Sequence, residues 1–144
     1  MTTRLPRFER SARLVAAAAL LAFMGAVLAT RVAMADGDRA QVIFSQKLPN
    51  VPGKTLTVVS VDYAPGGKSN AHHHAGVVLA YVVSGTIRSQ VDDGAARVYH
   101  AGETFFEGPG AHHSVSENAS RSKPAKLLAV FVAEDGADLT TFDP

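Results

Sequence analysis

The sequence predicts an all-β, single-domain protein built as a small antiparallel barrel or sandwich. Three observations predict it. Beyond residue 35 the chain falls into short runs rich in β-branched and aromatic residues, glycine and proline punctuate those runs, and no stretch repeats its apolar residues with a helical period.

The expected strands are Val42–Phe44, Thr55–Tyr63, Val77–Val83, Thr86–Val91, Ala96–His100, Thr104–Glu107, His113–Ser116 and Lys126–Ala133. Between them stand Pro65-Gly66-Gly67, Ser84-Gly85, Asp92-Asp93-Gly94, Ala101-Gly102 and Gly108-Pro109-Gly110, which supply the positive-φ and fixed-φ positions of tight turns. Ser84-Gly85 and Asp93-Gly94 are expected to close hairpins. The polar stretch Glu117–Pro124 reads as a loop before the last strand. No internal repeat is visible, and so dense a succession of strands leaves no room for a second domain.

The first 35 residues read differently. Arg4, Arg7, Arg10 and Arg13 lead into an alanine-rich apolar run from Leu14 to Ala29, followed by Ala33-Met34-Ala35. Basic region, apolar region and small residues in this order describe a secretory signal peptide cut after Ala35, leaving residues 36–144 as the mature domain. The alternative is an uncleaved membrane anchor. The run is shorter than the ~20 apolar residues a span needs, so no stable membrane span is expected after cleavage. No Arg-Arg pair is present, which points to the general secretory route and to a periplasmic or secreted bacterial protein.

Cleavage changes the charge balance. The chain carries 14 basic and 13 acidic residues; five arginines and one glutamate lie in the first 35, so the mature part keeps 9 and 12, a net −3 with neutral histidines. Such a domain has no electrostatic footprint for nucleic acid. The absence of cysteine removes disulfides and a thiol nucleophile, even in an exported chain where disulfides are permitted. Neither a Gly-x-Ser-x-Gly elbow nor a phosphate-binding glycine loop with lysine occurs, so no organic or nucleotide cofactor is expected.

Five of the six histidines fall in two clusters, His72-His73-His74 and His112-His113. On an extended segment His72 and His74 leave one face and His73 the other, so the first two can be neighbouring ligands of one ion. Alternation allows only one of His112 and His113 to join them, without saying which.

The setting of these residues resembles the cupin family. Gly66, five residues, then His72-x-His74 and Gly85 follow that family's first motif, and Gly102 with Gly110-x-x-His113 follows its second, over roughly Ala64 to Asn118. The resemblance implies a cupin-type double-stranded antiparallel β-barrel, jelly-roll-like, commonly a homodimer. It selects His113 as the third ligand. It also exposes departures: the first motif's glutamate is replaced by Val78, beside Leu79; Gly108 stands where a proline is usual; and Asn118 lies two positions late.

The implied centre is therefore His72, His74 and His113 around one divalent transition metal, Fe, Mn, Ni or Zn, without a carboxylate. Three neutral ligands would leave the full charge of the ion to attract an anionic ligand. The competing reading is a barrel that persists after its metal site has decayed. Glu103 and Glu107, flanking Phe105-Phe106, are candidates for the missing carboxylate or a general base. Tyr81 and Gln90 are candidate donors to a bound ligand, whereas His73, His100 and His112 read as surface or supporting residues.

Three functions follow from the resemblance. The first is dioxygenase-type oxidation of a small organic substrate. The second is a non-catalytic module that binds a small ligand or a metal, and the third a metal-dependent isomerase, lyase or hydrolase.

Overall fold

In the computed structural model, residues 38–144 are described, so the expected signal peptide lies outside the described residues. All regular structure among them is β. The strands are β1 (Asp38–Lys47), β2 (Lys54–Tyr63), β3 (Lys68–Ser69), β4 (His72–His74), β5 (Val77–Ser84), β6 (Thr86–Val91), β7 (Arg97–His100), β8 (Thr104–Glu107), β9 (His112–Asn118), β10 (Ala125–Glu134) and β11 (Thr140–Phe142). Among the described residues no helix is long and apolar enough to cross a membrane.

Each of the eight expected runs is a strand, most of them extended by a few residues at one or both ends. The additions are short: β3, β4 and β11 have too few residues for a periodic signal. Glu117 and Asn118, expected in a loop, instead complete β9.

Two antiparallel sheets result, one in the order β1-β2-β10-β5-β8 and the other β11-β4-β9-β6-β7, with β3 also paired to β9. Alternation places one side chain in two between the sheets. β10 shows it most clearly, with Ala125, Leu127, Ala129, Phe131 and Ala133 all buried. They meet Val59, Val61 and Tyr63 of β2 and Val78, Ala80 and Val82 of β5, and Ile87 and Phe105 extend the core.

The two glycine turns expected to close hairpins behave differently. Asp93-Gly94 does lie between paired strands, since β6 and β7 are antiparallel neighbours. Ser84-Gly85 does not: β5 and β6 belong to opposite sheets, and the turn is the corner at which the chain crosses from one to the other. Gly85 has φ +73°, and a Cβ there would lie 2.6 Å from the Pro124 carbonyl oxygen and 2.8 Å from the Ala125 Cα, so the corner demands glycine for both conformation and space.

Candidate metal centre

The two histidine clusters meet because β4 and β9 are neighbours in register, His72 opposite His113 and His73 opposite His112. Directly opposed residues of an antiparallel pair share a face. His72, His74 and His113 accordingly turn into the barrel, all buried, while His73 is exposed and His112 half-buried on the other side. The choice that alternation left open between His112 and His113 is settled for His113. His100 is exposed on β7, far from this arrangement in the sheet order.

One donor atom from each inward histidine lies within 4.8 Å of the other two. Backbone acceptors set which nitrogen is offered. His72 Nδ1 is 2.6 Å from the Asn70 carbonyl oxygen, and His74 Nδ1 is 2.9 Å from that of Leu139. A carbonyl can only accept, so both Nδ1 atoms carry hydrogen and both Nε2 lone pairs face the centre. His113 is turned the other way: its Nε2 is 2.9 Å from Ser89 Oγ, and Nδ1 points inward. Second partners of this kind orient metal-ligating imidazoles and fix their tautomers.

A carboxylate stands beside the group. Glu107 is only 2% exposed, and its Oε2 lies 3.2 Å from His113 Nδ1 and 3.6 Å from His74 Nε2. β8 alternates exposed and buried from Thr104 to Glu107, and β8 pairs with β5 so that Glu107 stands opposite Val78. The residue that lacks the family's glutamate thus has a glutamate as its cross-strand neighbour on the same face. Of the two candidates for the missing carboxylate, Glu107 is the one that faces the three histidines, which residue spacing within β5 could not show. Glu103 plays no part here; its carboxylate is exposed and accepts the His100 backbone N–H at 2.6 Å.

Burial sets the protonation states. It lowers His72 to about 4, opposed by the Asn70 carbonyl and reinforced by His74 and His113. His74 is lowered by burial as well, against the pull of Glu107. For Glu107 burial alone would raise the carboxyl, but His113 beside it, then His74 and His72, reverse the effect and hold it below its ordinary value. At neutral pH His72 and His74 are therefore unprotonated donors beside the Glu107 carboxylate.

These donors suit a divalent transition metal. Glu107 Oε2 and His113 Nδ1 are buried without a hydrogen bond although they face each other. Buried polar atoms without a partner are costly, and a cation between them would offset that cost. Imidazole and carboxylate are the donor types that zinc, iron, manganese and nickel accept.

The centre opens on a cavity of about 820 Å³ between the sheets. Its walls are mainly apolar, including Val59, Val61, Leu127 and Phe131 with Leu139 and Phe142, and no lysine or arginine among the described residues lines it. Phe131 packs edge-on to His74, and Phe142 of β11 lies over His72 at 5.6 Å. Tyr81 is not in the cavity; it is 41% exposed on the outer face of β5. Gln90, one position after the inward Ser89 on β6, is not among the lining residues either. Two contributors escaped the sequence reading. Ser89 steers His113, and the Tyr63 hydroxyl ties Ser69 and Ser116 together at 3.0 and 2.8 Å beneath the cluster. Alternation along β6 with Ile87 buried could have marked Ser89 as inward; nothing local marks its partner.

Asn118 is a structural clamp. Its Nδ2 donates to the Ala64 and Lys123 carbonyls, and its Oδ1 accepts from the Ser120 N–H, fixing the loop before β10.

Comparison with known proteins agrees with this architecture. The Cupin domain family matches residues 59–131, just over half of the chain, and the chain belongs to that family. Among solved structures it is similar to an RmlC-like cupin from Shewanella frigidimarina, with 21% identity over 76% of this chain and 87% of that one and a TM-score of 0.56. A conserved protein with a double-stranded β-helix domain from Klebsiella pneumoniae gives 19% identity, 78% and 90% coverage and a TM-score of 0.59. Oxalate decarboxylase from Bacillus subtilis gives 19% identity and a TM-score of 0.60 over 79% of this chain, which spans only 30% of that enzyme. At these identities the likeness defines the fold. No curated protein sequence matches the chain. The fold is thus that of a cupin, and among the described residues His72, His74 and His113, with Glu107 alongside, form a group that could hold a metal ion.

Proposed function

We propose that this cupin is exported, holds one divalent transition metal on His72, His74 and His113 with Glu107 as the fourth protein ligand, and uses it for dioxygenase-type oxidation of a small organic molecule. The observation that carries the reading is the convergence of three buried histidine donors within 4.8 Å on the wall of a cavity between the sheets. With one carboxylate in the set, a divalent ion keeps a single net positive charge, enough to hold an oxyanion at an open position. When bound, the metal would supply the site at which substrate and O₂ meet. The protein's own residues orient the donors, keep water out with Phe131, Leu127 and Phe142, and hold a carboxylate beside the reacting end.

Cavity chemistry narrows the substrate. Oxalate oxidase and oxalate decarboxylase are among the structural neighbours. Oxalate carries two carboxylates, and among the described residues this cavity offers no lysine or arginine for the second. A molecule with one metal-binding oxygen group and an apolar body, such as a phenol or a 1,3-diketone, suits these walls better.

The test is reconstitution of the purified protein with Fe(II), Mn(II), Ni(II) or Zn(II), followed by oxygen uptake and product analysis against a panel of phenols and diketones, with oxalate alongside. Uptake with an apolar substrate and none with oxalate is expected. Stoichiometric metal with no turnover of any panel member would replace the oxidative reading with that of a binding module; turnover only with zinc, without oxygen uptake, would replace it with a hydrolase, lyase or isomerase.

Export rests on the order of basic, apolar and small residues in the first 35 positions, and amino-terminal sequencing of periplasmic protein should begin at Asp36. A homodimer is supported by the apolar strip Leu79, Tyr81, Val83 and Phe106 on the outer face of β5 and β8, where Phe106 is 62% exposed. Phe106→Lys should convert a dimer to a monomer in analytical ultracentrifugation.

A further inference from the structure

The strands that turn three histidines inward turn another group outward. His73 and His112 face each other across β4 and β9 on the outer side, their rings stacked at 4.8 Å with planes 25° apart. Asp143, one residue past β11, spans both: its Oδ2 is 2.8 Å from His112 Nε2 and its Oδ1 is 3.3 Å from His73 Nε2. The three donor atoms lie within 4.8 Å of one another.

This group is held in place by its surroundings. The His73 Nδ1 is 3.2 Å from the Gly110 carbonyl oxygen, which leaves Nε2 as the free donor. The His112 backbone N–H donates to Asp92 Oδ1 at 2.8 Å, and the Asp143 N–H donates to the Ala71 carbonyl at 3.0 Å. Two imidazoles and a carboxylate are a standard donor set for borderline divalent metals. Donors of a tetrahedral zinc site with bonds of about 2.1 Å stand about 3.4 Å apart, close to the spacings that Asp143 makes here.

We propose that His73, His112 and Asp143 form a second, solvent-facing site for a divalent transition metal, which clips β11 onto β4 and so closes the cavity of the inner centre. β11 pairs with β4 through only three residues, Thr140–Phe142. Yet this short strand bears on the inner centre: Leu139 and Thr140 contact His74 Nδ1 at 2.9 and 3.2 Å, and Phe142 packs on His72. An ion joining Asp143 to β4 and β9 ties that strap down from outside. Removal of the ion leaves the strap to its three-residue pairing, the Asp143 N–H bond to Ala71 and its contacts with His74 and His72, so outer-site occupancy tunes how firmly the strap covers the inner cavity.

The site is independent of the proposed oxidation, and the experiment separates the two centres. Untagged protein is stripped with chelator, equilibrated with Zn²⁺ by dialysis and assayed for bound metal by mass spectrometry. Two ions per chain are expected in the wild type. The double variant His73→Gln/His112→Gln and the single variant Asp143→Asn, all at surface positions, should each lose one, with at least a tenfold rise in the dissociation constant of the weaker site. His113→Ala should lose the other ion and keep the outer one. If the inner reading is wrong, the wild type binds one ion that His113→Ala retains and the double variant loses, and the outer site stands. A double variant that binds as many ions as the wild type overturns the proposal. Hydrogen exchange at the amides of β11 supplies the second readout: slower exchange when the outer site fills supports the clip, and unchanged exchange overturns it.

Discussion

Replacing Glu107 by glutamine separates a metal ligand from a packing residue, because the two roles predict losses of different size in the metal-bound and metal-free protein. The substitution keeps volume and shape and removes one negative charge from a position 2% exposed, 3.2 Å from His113 Nδ1 and 3.6 Å from His74 Nε2. In the metal-free protein the carboxylate is a buried charge whose Oε2 lacks a hydrogen bond. Its removal gives up the field of His113, His74 and His72 that holds the carboxyl below its ordinary value, while sparing the burial of a charge, so metal-free stability should fall only modestly, by about 1 kcal/mol. In the metal-bound protein the loss is large. Disturbing a residue that merely supports ligands weakens metal binding on the order of 10–100-fold, about 1.4–2.8 kcal/mol, and loss of a ligand should cost at least that. The assay pairs urea denaturation in chelator with competitive titration against a chromophoric chelator for wild type and Glu107→Gln. Metal affinity within twofold of wild type would refute the ligand role. A parallel fall in metal-free stability of several kcal/mol would show instead that Glu107 holds the barrel together.

Three further outcomes are expected. Acid should weaken the metal-free fold: His72, lowered to about 4 from an ordinary 6.5, binds its proton more readily unfolded, so stability present at neutral pH is lost as pH falls through that window, by about 3 kcal/mol. The lowered His74 acts in the same direction, and Glu107, also lowered, adds its loss below the ordinary carboxyl range; urea midpoints in chelator that do not change between pH 7 and pH 4.5 would contradict this. Gly85→Ala places a methyl group 2.6 Å from the Pro124 carbonyl oxygen at φ +73° and should cost about 2–4 kcal/mol, visible as a thermal midpoint lowered by on the order of 10 °C. Ser89→Ala, which frees His113 Nε2, should weaken metal binding by on the order of 10-fold while leaving one ion per chain at saturation, and an unchanged affinity would remove Ser89 from its positioning role.

Much of this fold is legible in the chain because strand runs and turn residues act locally. Leu127, Ala129 and Phe131 alternate with exposed or half-buried neighbours, and that period alone marks β10. His72 and His74 share a face for the same reason. The corner at Gly85 is different. A Ser-Gly pair reads equally as a hairpin or a corner, and the sheet to which β6 belongs is set by its pairing with β9, about thirty residues away in the chain. The strap β11 is less legible still, since three residues have no period and it is held by register with β4.

By itself the sequence determined an all-β domain, the inward pair His72 and His74, and a metal-binding constellation to which its cupin resemblance added His113. Those features depend on neighbours in the chain, where side-chain direction follows from counting. The tertiary structure alone decided that the carboxylate arrives from Glu107 rather than from β5, that Tyr81 faces outward, and that Asp143 reaches His73 and His112. Each depends on which strands become neighbours and in what register. Pairing energy is shared across whole sheets, so no local run of residues specifies it.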